Sequence, residues 1–268
     1  MKNKVVIITG ASSGIGKALV FGLAVMGAKV VLAARNLNII DDISSSLNVK
    51  GYDTIAVKVD VTLEEDCKHL IEKTIWKYGK IDVLINNAGI SMRAMFEDVD
   101  LKVIHQLMDV NFWGTVYCTK YALPYILKEK GSVVGVSSIA GYKGLPARSG
   151  YSASKFAMQG FLDVLRIENM KKNLHVLIAC PGFTASNIRK TALSKDGSQQ
   201  GETPRDEAKM MSPDTVATKI IDAIIKRKRT IIMTTDGVLT VFLNKFFPKM
   251  VDKLVYNHMA KEPDSPFK

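Results

Sequence analysis

Cysteine is scarce: Cys67, Cys118 and Cys180 are scattered over 268 residues with no paired spacing. That excludes a disulfide framework and a cysteine-built metal knuckle, suits a reducing compartment, and leaves no metal expected. Long apolar runs are missing too. Val5-Val6-Ile7-Ile8 follows Met1-Lys2-Asn3-Lys4 and stops at Thr9-Gly10, and nowhere does an uninterrupted apolar run reach 18 residues. Neither a signal peptide nor a membrane span is expected, so the sequence reads as cytoplasmic. Acid is outnumbered, with 26 Asp and Glu against 37 Lys and Arg and a formal net charge of +11. The excess is spread and lacks a basic helix or an aromatic-interleaved patch, so nucleic acid is not an expected partner. An anionic ligand or membrane surface remains compatible with it.

What the chain does have is a regular alternation of strand-like and helix-like segments up to about residue 235. Apolar, β-branched runs at 5–8, 29–33, 55–59, 83–85, 133–136, 176–179 and 231–233 read as seven strands buried on both faces. Helical patterns fill 14–26, 38–47, 63–78, 99–128, 150–171 and 213–226. Strand, helix, strand in repetition implies an α/β fold: one Rossmann-type domain, residues 1–235, with a doubly wound sheet of about seven parallel strands and helices on both faces. Residues 236–268 form a C-terminal helical extension. The polar stretch from Ser194 to Asp206 follows strand six, at the ligand-binding end of such a sheet, and is read as a lid or an ordinary surface loop.

The first strand runs into Gly10-Ala11-Ser12-Ser13-Gly14-Ile15-Gly16. A tight turn without side chains lets the backbone approach a pyrophosphate, and the following helix start supplies amide donors and a positive dipole end. After the second strand stands Ala33-Ala34-Arg35, where an NAD-preferring site usually carries an acid. Arg35 suits the 2′-phosphate of NADP(H), with Ser12 as a further hydroxyl donor; a solvated surface charge is the plainer alternative.

Tyr151 and Lys155 are four residues apart on one helix, so the ammonium can lie beside the phenol and is expected to lower its pKa. Such a phenol exchanges a proton with a substrate oxygen. Ser138 closes the fifth strand thirteen residues upstream; alternation allows only one of Ser137 and Ser138 to face the tyrosine.

Taken together, these residues resemble the short-chain dehydrogenases/reductases over about residues 4–235. Thr9-Gly10-x-x-x-Gly14-Ile15-Gly16, Asp60-Val61, Asn86-Asn87-Ala88-Gly89, Asn111, Ser138, Tyr151-x-x-x-Lys155 and Pro181-Gly182 appear in the family's order and spacing. The resemblance selects Ser138 over Ser137. It implies a catalytic set of Asn111, Ser138, Tyr151 and Lys155, in which Asn111 perturbs its helix and helps hold a relay water near the lysine. It implies cofactor contacts from Gly10, Ser12, Ser13, Gly14, Ile15, Gly16, Arg35, Asp60, Val61, Asn87, Ala88, Gly89, Tyr151, Lys155, Pro181, Gly182, Thr184 and Ser186, the last standing where the family often has threonine. Locally, Asp60 could equally serve as a cap-like acid before the third helix, and Asn111 as a core asparagine.

The implied activity is carbonyl–alcohol interconversion, and a homodimer or homotetramer is implied by the family's usual pairing through the fifth and sixth helical segments. An extended-type sugar-nucleotide epimerase or dehydratase is disfavoured by the Gly-x-x-x-Gly-x-Gly spacing. A non-catalytic NADP-binding regulator is disfavoured because none of the four catalytic positions is damaged. Residues 139–148 with Met92, Arg93 and Phe183 are expected to wall a mostly apolar pocket with cations at its rim, fitting a hydrophobic ketone, a steroid-like or lipid molecule, or a 3-oxoacyl chain on an anionic carrier. Beyond residue 235, Leu239, Phe242, Leu243, Phe246, Met250 and Leu254 recur at helical spacing, with Pro248 starting a second helix and Lys245, Lys249 and Lys253 on a neighbouring face. Two readings compete for this tail: packing over the substrate pocket or another subunit, and peripheral contact with a membrane.

Overall fold

The computed structural model describes all residues except 186–187, 202–209, 262–264, 266 and 268. Seven strands make one parallel sheet in the order β3-β2-β1-β4-β5-β6-β7. They are β1 (Val5–Thr9), β2 (Lys29–Ala34), β3 (Thr54–Lys58), β4 (Val83–Asn86), β5 (Ser132–Val136), β6 (His175–Cys180) and β7 (Thr230–Ile232). The central strands are buried along their whole length, which is why their sequence shows runs instead of alternation. Alternation survives in where the side chains go. Val6 and Ile8 of β1 enter one core layer, with Leu19 and Leu23 of α1 (Gly14–Val25), Ile40 and Leu47 of α2 (Leu37–Val49) and Ile220 of α7 (Pro213–Ile225). Ile7 enters the other, with Leu70 of α3 (Glu64–Tyr78), Ala122 of α5 (Gly114–Lys128) and Leu162 of α6 (Ser149–Glu168). Each fully buried aliphatic side chain is worth about 1.5–3 kcal/mol of transfer free energy, so these two layers dominate the stability of the sandwich.

The long helical segment expected over 99–128 is interrupted. It comprises α4 (Leu101–Met108), a π-helical turn (Asp109–Trp113) and α5, with Asn111 inside the turn. Such π turns widen one helical turn and are common at functional sites. The sixth helix ends at Glu168, short of residue 171, and a 3₁₀ turn follows at Met170–Lys172.

Beyond β7 the chain forms α8 (Thr235–Phe246) and α9 (Pro248–Ala260). Thr234 caps α8 by accepting from the Gly237 amide at 3.2 Å, and Pro248 opens α9 in the first turn, where its missing N–H costs nothing. No helix among the described residues is long and apolar enough to cross a membrane.

Candidate active site

The strand order reverses between β1 and β4, and a crevice opens there at the carboxyl ends of the strands. It forms a cleft of about 1650 Å³. That exceeds the roughly 300–1,000 Å³ of an ordinary ligand site, so a dinucleotide and a second molecule fit together.

At one end lies the glycine turn. Gly10 and Gly14 have φ of 67° and 52°, a region that penalises side chains. A Cβ on Gly16 would stand 2.1 Å from the Gly10 carbonyl oxygen and 2.6 Å from Asn87 Nδ2. Asn87 braces this turn, donating from Nδ2 to the Thr9 and Gly10 carbonyls at 2.9 and 3.2 Å. Thr9 Oγ1 returns the favour by accepting from the Asn87 and Ala88 amides, each at 3.0 Å. Ser13, the N-cap of α1, makes no side-chain cap, and no acid occupies the first turn of that helix. The helix therefore presents its amide donors to an anion at the cleft, which is the arrangement a pyrophosphate requires.

Ser12, Ile15, Arg35, Asp60, Val61, Ala88 and Gly89 line the same cleft, as do Pro181, Gly182 and Thr184. Arg35 is exposed at the end of β2, and no hydrogen bond or ion pair holds it among the described residues. Asp60 meets both readings of it: it lines the cleft, and its Oδ1 accepts from the Thr62 amide and hydroxyl at 3.0 and 2.8 Å, making a turn ahead of α3. The N-cap position itself is Leu63. Thr184 Oγ1 donates back to the Gly182 carbonyl at 3.1 Å, and the Phe183 carbonyl is taken by the Met211 amide. Ser186 lies outside the described residues, as do residues 202–206 of the suspected lid.

Ser138, Tyr151 and Lys155 meet near the middle of the cleft. Ser138 lines the cleft with Tyr151, and its Oγ accepts from the Ala140 amide at 3.2 Å. Ser137 is buried and occupied as the acceptor for Gln159 Nε2 at 2.8 Å. Lys155 is 3 % exposed, donates to the Val136 carbonyl at 2.9 Å and lies 5.8 Å from the centre of the Tyr151 ring. Asn111 is fully buried: Oδ1 accepts from the Ile90 amide at 2.9 Å, and Nδ2 donates to the Ile90 carbonyl at 3.0 Å and to Ser154 Oγ at 2.9 Å. A Cβ on Gly89 would lie 3.1 Å from Asn111 Oδ1 and 3.4 Å from Lys155 Nζ, so this glycine is where the two side chains converge.

One electrostatic expectation is corrected. The phenol of Tyr151 is held above the usual tyrosine value, because its burial outweighs the opposing pull of the Ser138 hydrogen bond and the Arg148 charge. Lys155 does not lower it here; its own ammonium, desolvated in the interior, falls to about 8. Desolvation of the phenolate is the larger effect at this half-buried tyrosine.

Several residues of the site went unrecognised in the sequence. Gln159, one helical turn beyond Lys155, fixes the end of β5 through Ser137; its i+4 spacing was the available signal. Ser154 joins Asn111 to the Tyr151 carbonyl, to which it donates at 2.8 Å. The tail, for which packing over the pocket was one of the readings, forms a roof on the cleft. Leu239, Thr240 and Leu243 of α8 and Val251, Leu254, Val255, His258 and Met259 of α9 line the cleft. The roof is docked directly on the site, since a Cβ on Gly182 would stand 2.5 Å from Thr234 Cγ2, and one on Gly237 would stand 2.4 Å from Ile139 Cδ1. Asn244 Nδ2 adds a bond to the Tyr142 carbonyl at 3.3 Å, and Lys143 pairs with Asp252.

A family model described as short chain dehydrogenase matches residues 4–197. The chain belongs to the short-chain dehydrogenase family. A dehydrogenase/reductase SDR family protein 7-like from Dictyostelium discoideum is 36 % identical over 262 residues, covering 95 % of this chain and 81 % of that one. 11-beta-hydroxysteroid dehydrogenase A of Sesamum indicum is 32 % identical, covering 97 % of this chain and 78 % of its own. Among solved structures, a short chain dehydrogenase/reductase from Burkholderia phymatum in complex with NAD superposes with a TM-score of 0.83, covering 93 % and 95 % of the two chains; at 22 % identity it shares the fold. Family membership makes this chain an oxidoreductase of the short-chain dehydrogenase class.

Proposed function

We propose that this protein interconverts a carbonyl and a secondary alcohol by NADP(H)-dependent hydride transfer, with Tyr151 as general acid and base. The observation that carries the reading is the meeting of Ser138, Tyr151 and Lys155 in one cleft with the braced glycine turn, with Asn111 buried behind them at Gly89. The reduced nicotinamide, when bound, supplies the hydride. Gly10–Gly16 and the α1 amides would hold the pyrophosphate, Asp60 and Val61 the adenine, Lys155 the nicotinamide ribose, and Arg35 the 2′-phosphate. The family neighbour that carries NAD speaks for the dinucleotide, and Arg35 for its phosphorylated form. Tyr151 donates its phenolic proton to the carbonyl oxygen in reduction. Ser138 Oγ–H stabilises the negative charge developing on the same oxygen. Asn111 keeps the π turn open beside Lys155 and orients the lysine end of a proton relay.

The apolar roof favours a hydrophobic substrate, and the hydroxysteroid dehydrogenase name of one relative points the same way. Tyr151→Phe keeps the ring and deletes the proton. Carbonyl reduction should fall about 10²–10⁴-fold with cofactor affinity retained, and near-normal turnover would refute the mechanism.

Phe242, Phe246, Phe247 and Met250 are exposed on the outer side of the roof beside Lys245 and Lys249, which supports peripheral contact with an anionic membrane. Phe242→Ser with Phe246→Ser should abolish co-sedimentation with phosphatidylserine vesicles; unchanged binding would exclude the roof as the contact. Exposed Trp113, Phe156, Val164 and Ile167, on the π turn and α6, support subunit pairing there. A monomeric mass by light scattering would rule that out.

A further inference from the structure

Gln159 is a polar side chain on the buried face of α6, 9 % exposed, where an aliphatic residue is the usual choice. A buried amide has to be hydrogen-bonded, and the partners of this one all lie at the end of the sheet that carries the site. Nε2 donates to Ser137 Oγ at 2.8 Å and lies 3.5 Å from the Ser138 carbonyl oxygen and 3.8 Å from Cys180 Sγ. One side chain therefore touches the exit of β5, which delivers Ser138, and the last residue of β6, which precedes Pro181 and Gly182.

Ser138 is followed by the 3₁₀ turn Ile139–Gly141 and caps it. Its carbonyl accepts from the Gly141 amide at 3.0 Å, while its Oγ accepts from the Ala140 amide. An amide proton aimed at Oγ occupies one lone pair, so the hydroxyl proton turns away from the turn. Where the turn sits thus sets which way Ser138 can donate. The turn rests on α6: a Cβ on Gly141 would stand 2.3 Å from Gln159 Nε2 and 3.0 Å from the Lys155 carbonyl oxygen. On its other side Ile139 meets Gly237 of α8, so the turn is held between Gln159 and the roof. Ser138 keeps an extended backbone, with φ of −162° and ψ of 165°, and alternation therefore sends Ser137 and Ser138 to opposite sides. Gln159 grips the first and thereby aims the second.

We propose that Gln159 is a positioning residue of the active site: its amide, lying against Gly141 and bonded to Ser137, fixes the Ile139–Gly141 turn so that the Ser138 hydroxyl donates to the substrate oxygen. It touches neither substrate nor cofactor. The inference rests on the hydride-transfer reading above for the role given to Ser138, though not for how that serine is held.

The test uses the full chain with NADPH and whichever of acetophenone, methyl nonyl ketone and progesterone is reduced fastest. Gln159→Met keeps the length of the side chain and deletes both amide donors; kcat should fall about tenfold or more, with KM for NADPH within about twofold. Ser137→Ala removes only the acceptor of the same bond and should lower kcat in the same way, about threefold or more. Ser138→Ala alone should cost about 10²-fold, and in that chain Gln159→Met should remove less than about twofold more. A residue that merely supports the fold would instead cost the same factor with or without the serine hydroxyl. In parallel, amide hydrogen exchange followed by NMR reads the placement without any substrate: Gln159→Met should speed exchange at Ala140 and Gly141 about tenfold and leave the α6 amides unchanged. A kcat within about twofold of native in both single variants, an equal loss in the Ser138→Ala chain, or unchanged exchange at Ala140 and Gly141 overturns the inference. If the native chain reduces none of the ketones, hydride transfer fails as the function, and the exchange rates alone decide whether Gln159 holds the turn.

Discussion

The floor of the cleft and its roof are built on different principles. The floor is made of strand ends and glycine turns in which one added methylene group has nowhere to go: Gly16 stands against the Gly10 carbonyl and Asn87, and Gly10 against Ala88. The roof is made of two short helices whose inner residues touch the cleft while their outer residues face solvent, Phe242 and Phe246 among them. A cofactor common to many enzymes needs a rigid cradle, whereas a particular substrate needs only a wall of suitable polarity. Rigidity leaves a short-range trace in sequence, and a wall leaves only a stripe.

That contrast is broken most severely at the floor. Gly16→Ala forces a Cβ to 2.1 Å from backbone and should weaken NADPH binding in a fluorescence titration by at least about tenfold, with a lower melting temperature, since overpacking costs about 1–3 kcal/mol. Unchanged binding would mean that the turn does not cradle the nucleotide. Arg35→Asp acts at the rim of the same half, where packing is loose and charge decides. It should raise KM for NADPH about tenfold or more and leave NADH within about twofold, the loss of a charge-assisted bond; equal effects on both cofactors would sink the phosphate assignment. Leu243→Ala tests the roof. The half-buried side chain contributes on the order of 1 kcal/mol of apolar contact, so kcat/KM for a hydrophobic ketone should fall about fivefold with NADPH affinity unchanged. A parallel loss of cofactor binding would show that floor and roof are not separate units.

Legibility followed the same divide. Seven strands and six helical segments before residue 235, one of them split into α4 and α5, were readable because both-face burial imposes apolar runs and amphipathic helices impose a period. The π turn was not readable as a local pattern, because its cause is tertiary: Asn111 reaches Ile90 and Ser154, both distant in sequence. The Tyr151 environment was misread for a related reason. Spacing of four residues fixes which groups are neighbours, but whether a neighbouring ammonium or the surrounding desolvation wins depends on water, which spacing does not encode.

The sequence by itself determined the alternating α/β order, the glycine turn, and the residue types that meet around Tyr151, because each follows from contacts between residues close in the chain or from burial of whole strands. Only the tertiary structure decided that Leu239, Leu243 and Leu254 line the cleft, that the backbones around Ala94 and Ala147 meet, and that burial raises the Tyr151 pKa. Those outcomes depend on segments far apart in the chain meeting at one cleft, which is a property of the packed assembly.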